Sequence, residues 1–271
     1  MFCEQRGMEE VFTPYLVRAG AFEGVIDTIK ASGAKDSWEL HTSPEIEMKK
    51  LLSERKESFF QIARCFRDDP PTPHHLKEFT MLEYYRVGCS YTNLIDDMKE
   101  LIRQLSPSTK MAFVSVSEAM KKHGLDLSST AEDFRGKIHV SENDSWSDLF
   151  CKLLVEKIEP SFDPEVVTFL TDYPKEQCAL GKLAPDGKTA QRFEIFWKGM
   201  EICNGCTELT DPNELLARYE KEVLLRRERG LEPHPFPEVL YASMKSGIPE
   251  CAGIAIGLDR LYRARLGIGG G

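Results

Sequence analysis

The sequence predicts an α+β fold, an antiparallel sheet flanked by helices, and three observations carry that expectation. Strand-like runs follow one another through hairpin turns. They seldom alternate with helices in the strand–helix–strand order of a doubly wound parallel sheet. Two amphipathic helical stretches interrupt them without repeating.

Composition bounds the rest. With 271 residues, 41% of them hydrophobic and 10% aromatic, the chain can bury a sizeable core. No apolar run is long enough to cross a bilayer, and Met1-Phe2-Cys3-Glu4-Gln5-Arg6 lacks the charged-then-apolar layout of a signal peptide, so a cytoplasmic protein is expected. Thirty-five basic and 44 acidic residues give a net charge of -9, which argues against generic nucleic-acid binding because phosphate contacts need a basic surface. The eight cysteines are scattered and carry no export context, so reduced thiols are expected. Only Cys203-Asn204-Gly205-Cys206 has metal or redox spacing, and an Asn-Gly turn between two small apolar residues is preferred to zinc.

Taken in order, Ser58 to Arg67 and Glu78 to Val87 read as two strands of a hairpin with a long Pro/His-rich loop. Leu94, Ile95, Met98, Leu101, Ile102 and Leu105 fall at helical spacing. The apolar positions from Leu149 to Ile158 do so too, behind the caps Asn143, Asp144 and Ser145. Residues 107–140 read as polar and variable, and with the segment through Phe162 they form a mainly helical insertion, at about 107–162, in a single domain of 1–271. Val166 to Leu170 is strand-like, Phe193 to Cys203 reads as a hairpin through Lys198-Gly199, and Gly253 to Leu258 as a strand entering a final helix.

Three constellations carry chemistry. On the strand from Glu78, alternation puts Phe79, Met81, Glu83 and Tyr85 on one face, near Arg67-Asp68-Asp69 at the end of the preceding strand. The plainer alternative is an amphipathic strand with its polar side in water. In the second, a two-residue Lys198-Gly199 turn pairs Phe196 with Glu201 and so sets Glu194 diagonal to Glu201. A like turn at Asn204-Gly205 would set Glu208 opposite Glu201, though that turn could equally lead into a helix near Asp211. Clustered carboxylates repel unless a cation sits among them, so a divalent-metal or ammonium site competes with a solvated acidic face. In the third, Gly253, Ala255 and Gly257 make one strand face bald, with Ile254, Ile256 and Leu258 on the core side and Arg260 at the following helix start. Such a face admits either a ligand or a tight packing contact.

At these residues the sequence resembles the class II aminoacyl-tRNA synthetases. Phe66-Arg67-Asp68-Asp69 followed by Glu78-Phe79-Thr80-Met81-Leu82-Glu83 matches their second motif, and Gly253 through Arg260 their third. Thr42-Ser43-Pro44-Glu45 with Met48-Lys49, and Asn204-Gly205-x-x-Glu208-Leu209-x-Asp211, narrow the resemblance to the lysyl branch and to its paralogues that lysylate elongation factor P. It implies an ATP-dependent ligase for lysine or β-lysine, with ATP and Mg2+ as cofactors and no anticodon-binding domain. It assigns ATP to Arg67, Asp68, Asp69, Phe79, Glu201, Ile202, Gly257 and Arg260, the two arginines being catalytic. The amino acid falls to Ser43, Pro44, Glu45, Glu83, Tyr85, Asn204, Glu208 and Ala255, and the metal to Glu194 and Glu201.

The sequence departs from the pattern in places. Asp69 replaces the motif glutamate, and Leu76 an asparagine expected near the nucleotide. The first motif survives mainly as Thr13-Pro14, because most of the helix that builds the family's homodimer interface would lie before Met1, and the tail stops short of the usual closing helix. The missing β-barrel, the acidic charge and Ala255, where lysyl-tRNA synthetases carry glycine, favour elongation factor P over tRNA as acceptor. The rivals are a free-standing lysyl-type synthetase and a non-catalytic amino-acid or nucleotide sensor.

Overall fold

The computed structural model describes residues 2–33, 36–70 and 76–268. The chain divides into two compact units, Met1–Ser90 with Thr207–Asp259, and Tyr91–Cys206 with Arg260–Gly271.

The first unit begins with β1 (Glu9–Glu10), β2 (Leu16–Val17), β3 (Lys30–Ser32) and β4 (Ser37–Leu40), followed by α1 (Glu45–Arg55), β5 (Phe59–Phe66) and β6 (Glu78–Val87). β5 and β6 are the expected long-looped hairpin, in register from Phe59 opposite Tyr85 to Phe66 opposite Glu78. Residues 71–75 of its loop lie outside the described residues. β1 runs parallel beside β5, while β2, β4 and β3 form a separate three-stranded antiparallel sheet.

The second unit contains α2 (Tyr91–Leu105), β7 (Lys110–Ser115), α3 (Val116–Lys121), α4 (Ala131–Phe134), α5 (Trp146–Leu153), β8 (Val166–Thr171), β9 (Arg192–Trp197) and β10 (Met200–Thr207). α2 and α5 are the two predicted helices. Ser145 caps α5, its hydroxyl accepting from Asp148 N at 3.2 Å while its own N–H donates to the Asp148 carboxylate at 3.0 Å, a reciprocal capping box. β8, β9 and β10 are antiparallel neighbours, and Lys198 (φ 55°) and Gly199 (φ 72°) make the tight turn between β9 and β10 in the left-handed region such turns need. Phe134, Phe150, Leu153, Leu170 and Phe196 form this unit's core.

Two expectations need correction here. The polar-looking stretch after residue 107 contains β7, which pairs in parallel with β8, Lys110 opposite Val166. Its alternation is weak because an edge strand leaves Phe113 half exposed, stacked on Phe169 at 4.6 Å. Asn204-Gly205 is no turn: both residues lie inside β10, opposite Glu194 and Phe193. Glu208 therefore does not face Glu201, and Cys203 and Cys206 lie along an extended strand, Cys203 buried and Cys206 half-buried.

The first unit resumes with α6 (Pro212–Glu228), α7 (Glu238–Ser246) and β11 (Cys251–Gly257), which leads into α8 (Leu258–Arg265). Asp211 caps α6 by accepting from Asn213 N at 2.8 Å, and Pro212 opens the helix where its missing N–H costs nothing. β11 pairs antiparallel with β6, Gly253 opposite Tyr85, Ala255 opposite Glu83 and Gly257 opposite Met81. Among the described residues no helix is long and apolar enough to cross a membrane.

Candidate active site

In the first unit the site is built on β6 and β11. Gly253 lacks a side chain where one cannot fit: a Cβ there would lie 2.2 Å from Glu208 Oε1 and 2.5 Å from Tyr85 Cε1. The bald face is thus occupied by the polar ends of the site's own side chains. Tyr85 is buried and donates its hydroxyl to Glu83 Oε1, leaving Glu83 Oε2 buried with no hydrogen-bond partner among the described residues. Buried polar atoms are nearly always paired, so this oxygen marks a place for a ligand.

Two elements close the cluster. Pro44 stands at the N-cap of α1, and one turn on Lys49 is wholly buried with Nζ 2.6 Å from both Glu45 and Glu208. Glu208, 3% exposed at its side chain, is fixed by its backbone N–H donating to Cys251 O at 2.9 Å, so β11 positions it. Ser43 accepts from Glu45 N at 3.4 Å at the head of the helix. Three carboxyl groups therefore face one resident cation. Burial first, then the Glu45 charge, pushes Glu83 up to about 8, while Tyr85 and Lys49 draw it down; burial and the Glu83 charge raise Tyr85 well above the ordinary phenol value.

Farther along the same strands lies a second feature of this unit. Arg67 directly follows β5, with its backbone N–H donating to Lys77 O at 3.0 Å and its guanidinium 5.3 Å from the Phe79 ring. Its Nε is buried without a partner among the described residues, a donor suited to an anion. Asp68 pairs with Lys77 at 2.5 Å, and its N–H donates to Asp27 O; Asp69 follows, half-buried.

In the second unit Glu194 is buried on β9. Its Oε2 accepts from the Tyr173 hydroxyl and its Oε1 from Arg192 at 2.7 Å, and Arg192 also donates to Asn204 at 3.1 Å. Glu201 stands on β10 opposite Phe196, as the turn arithmetic predicts, and the register then shifts by a bulge between Glu201 and Cys203. Burial, then Glu201, pushes Glu194 up to about 7; the same two causes in the same order raise Glu159 to about 7, with Arg260 opposing. Arg260 on α8 donates to Glu201 O at 3.0 Å and stands 3.7 Å from its carboxylate. Ile202 is buried within the bulge.

These carboxylates fit Mg2+ in one specific way. After burial, the Glu201 charge is what raises Glu194, so a further cation beside the pair would relieve that repulsion, and Glu201 is 40% exposed at its side chain. No group of three or more His, Cys, Asp or Glu residues with metal-binding geometry exists among the described residues. Magnesium uses one or two protein carboxylates and completes its shell with substrate phosphates and water, so two carboxylates suffice when a nucleotide is present.

The structure thus gathers Glu45, Glu83, Tyr85, Glu208 and Ala255 into one cluster, and Glu194, Asn204, Glu201 and Arg260 into another, with Asn204 in the carboxylate group of the second unit. Lys49, Arg192, Tyr173 and Glu159 were absent from the sequence-based site. The first two were legible: Glu45 and Lys49 are spaced i, i+4 on a helix, and Arg192 and Glu194 i, i+2 on a strand, so each pair shares a face. Tyr173 meets the site from a loop and Glu159 from a single turn of 3-10 helix, neither of which local periodicity describes.

Comparison with known proteins adds the lineage. The chain matches the family model of the class II tRNA synthetases (D, K and N) over residues 1–267. It is 35% identical over 283 residues to the elongation factor P–(R)-β-lysine ligase of Vibrio vulnificus, covering 98% of this chain and 87% of that protein. It is 37% identical over 277 residues to an elongation factor P–(R)-β-lysine ligase homolog of Aquifex aeolicus, covering 98% and 91%, and 34% identical to the corresponding Vibrio cholerae ligase over 283 residues. The chain belongs to the class II tRNA synthetase family.

Proposed function

We propose that this chain is an ATP-dependent, AMP-forming ligase that activates lysine or β-lysine as its adenylate and transfers it to a lysine of translation elongation factor P. The observation that carries the reading is the cluster of half-buried Glu45 with buried Glu83 and Glu208 around Lys49, the one cation seen there among the described residues. Three carboxyl groups and one resident cation leave room for two further positive charges, and a diamino acid brings two ammonium groups. Likeness to the elongation factor P ligases over 98% of the chain supports the acceptor.

In this reading Glu83, Tyr85 and Glu208 hold the side-chain ammonium, Glu45 the second ammonium, and Ser43, Pro44, Asn204 and Ala255 border the amino acid. Arg67 binds the substrate carboxylate and the α-phosphate through its unpaired Nε, and Phe79 offers its ring to adenine. Asp68, Asp69, Ile202 and Gly257 contact the nucleotide, and Arg260 takes the terminal phosphates. Glu194 and Glu201 hold Mg2+, which when bound neutralises the triphosphate charge. A carboxylate oxygen of the amino acid attacks the α-phosphorus in line, and the bond to pyrophosphate breaks. The acceptor's neutral amine then attacks the carbonyl carbon of the adenylate and AMP leaves. No protein nucleophile is needed; the residues act by positioning and by placing charge where it develops.

The test is acceptor labelling. Incubated with ATP, Mg2+ and labelled lysine or (R)-β-lysine, the protein is expected to label elongation factor P and leave lysine tRNA essentially uncharged. Charging of the tRNA with no label on the protein factor would replace this reading by the free-standing synthetase.

A further inference from the structure

Resting on the amino-acid pocket just proposed, one feature goes further: the way the empty cluster balances its charge. Among the described residues, Glu45, Glu83 and Glu208 converge with one cation among them, and that cation is already committed to two of the three. Lys49 Nζ lies 2.6 Å from Glu45 and 2.6 Å from Glu208 and is wholly buried. Glu83 is left with the Tyr85 hydroxyl on Oε1 and nothing on Oε2, although the residue is 2% exposed.

A carboxylate that is buried, ringed by two other carboxylates and unpaired on one oxygen is costly to keep ionised. The groups facing it give no further relief. On its own strand stands Tyr85, a neutral phenol. From α1 come Glu45 and Lys49, and from the residues anchored to β11 comes Glu208. β5 contributes Gln61 directly opposite, and Cys65, whose thiol is itself pushed up to about 12 by burial and by the Glu83 charge and so is neutral. Gln61 accepts from Thr13 at 2.8 Å through Oε1, and its buried Nε2 has no partner among the described residues either. β11 offers only Ala255 at the paired position.

We propose that Glu83 holds a proton in the empty pocket and surrenders it when the substrate's ammonium docks against Oε2, while Lys49 stays in place as the fixed counter-ion of Glu45 and Glu208. The proton leaves to solvent as the ammonium enters, one positive charge exchanged for another, so the buried charge at Glu83 changes partner rather than amount. An uncharged side chain of the same length would find a protonated carboxyl that has no reason to ionise, and so would win none of the charge attraction. Glu83 is on this account a specificity-determining residue, and amino-acid binding is coupled to proton release. Burial and the neighbouring carboxylates place that ionisation near 8, so the coupling operates at neutral pH and fades above it.

The experiment is isothermal titration of the wild-type protein with L-lysine and with (R)-β-lysine at pH 7, in phosphate, HEPES and Tris, whose ionisation enthalpies differ. The observed enthalpy is expected to vary linearly with the buffer's ionisation enthalpy, with a slope of roughly one proton released per ligand bound, falling toward zero as the pH is raised through 8 to 9. Glu83→Gln, folded by circular dichroism, is expected to show no buffer dependence and affinity weaker by about tenfold or more. Binding of wild type with a buffer-independent enthalpy at pH 7 would overturn the proton exchange while leaving the lysine pocket standing. Buffer dependence that persists unchanged in Glu83→Gln would move the proton to another group and overturn the role given to Glu83. No binding of either amino acid, with or without ATP, would remove the pocket assignment and the exchange together.

Discussion

The two acidic clusters differ in what surrounds their buried glutamate, and the difference separates binding from support. In the second unit Glu194 is paired on both oxygens, by Tyr173 and by Arg192, and its repelling neighbour Glu201 is 40% exposed, where water screens it. In the first unit Glu83 is paired on one oxygen only, and its lysine neighbour is spent on other carboxylates. On the proposed reading, the arrangement in the second unit would hold a side chain in place for an ion that brings its own phosphate ligands. That in the first unit leaves an open demand for charge in a dry place, and only a ligand of the right charge can meet it.

Arg192→Met should separate the two most strongly. It leaves Glu194 buried without its counter-ion and removes the donor to Asn204, so the folded state is expected to lose about 3–5 kcal/mol, read by urea unfolding. Unchanged stability would mean Glu194 is solvated rather than supported.

The next effect belongs to the first cluster. Gly253→Ala puts a methyl group into Glu208 and the Tyr85 ring, and Tyr85 is fully packed, so Glu208 must give way. Amino-acid-dependent exchange of pyrophosphate into ATP is expected to fall by about 100-fold or more, because displacement of a positioning group by about 1 Å costs that much. Full activity would show that Glu208 is free to move without consequence.

How much of this was legible beforehand follows from where each signal lies. The β5–β6 hairpin, the Lys198-Gly199 turn and the strand running into Arg260 are local patterns, and the structure has all three. The face shared by Phe79, Met81, Glu83 and Tyr85 follows from alternation alone. Asn204-Gly205 reads as a turn because the pair has the composition of one, while its neighbours on β9 hold it extended. Lys49's double ion pair needed the position of Glu208, which is set by a backbone bond to Cys251 more than 40 residues along the chain. Long-range pairing of that kind leaves no trace in local spacing.

The last effect is one of pH on stability. The Glu83 carboxyl sits higher in the folded chain than its ordinary 4.5, so between about pH 5 and 8 the native state binds more protons than the unfolded one and stability falls as pH rises. Glu83→Gln removes that slope. Relative to wild type, the ligand-free variant is expected to gain stability on going from pH 5 to pH 8.5, by about 1.4 kcal/mol for each pH unit by which the folded-state value exceeds the unfolded one, measured by denaturant unfolding at each pH. A constant difference across the range would show that Glu83 is ionised throughout.

The central claim is that this pocket selects a diammonium amino acid by charge, and side-chain deletion tests it most directly. Amino-acid-dependent pyrophosphate exchange would be compared for lysine, (R)-β-lysine and norleucine, which keeps the lysine carbon skeleton and lacks the terminal nitrogen. Sites built to hold a polar group reject its apolar analogue by about 10⁴-fold or more. The account predicts a discrimination of that order in kcat/KM for at least one of the two diamino acids over norleucine; comparable exchange with norleucine would contradict it.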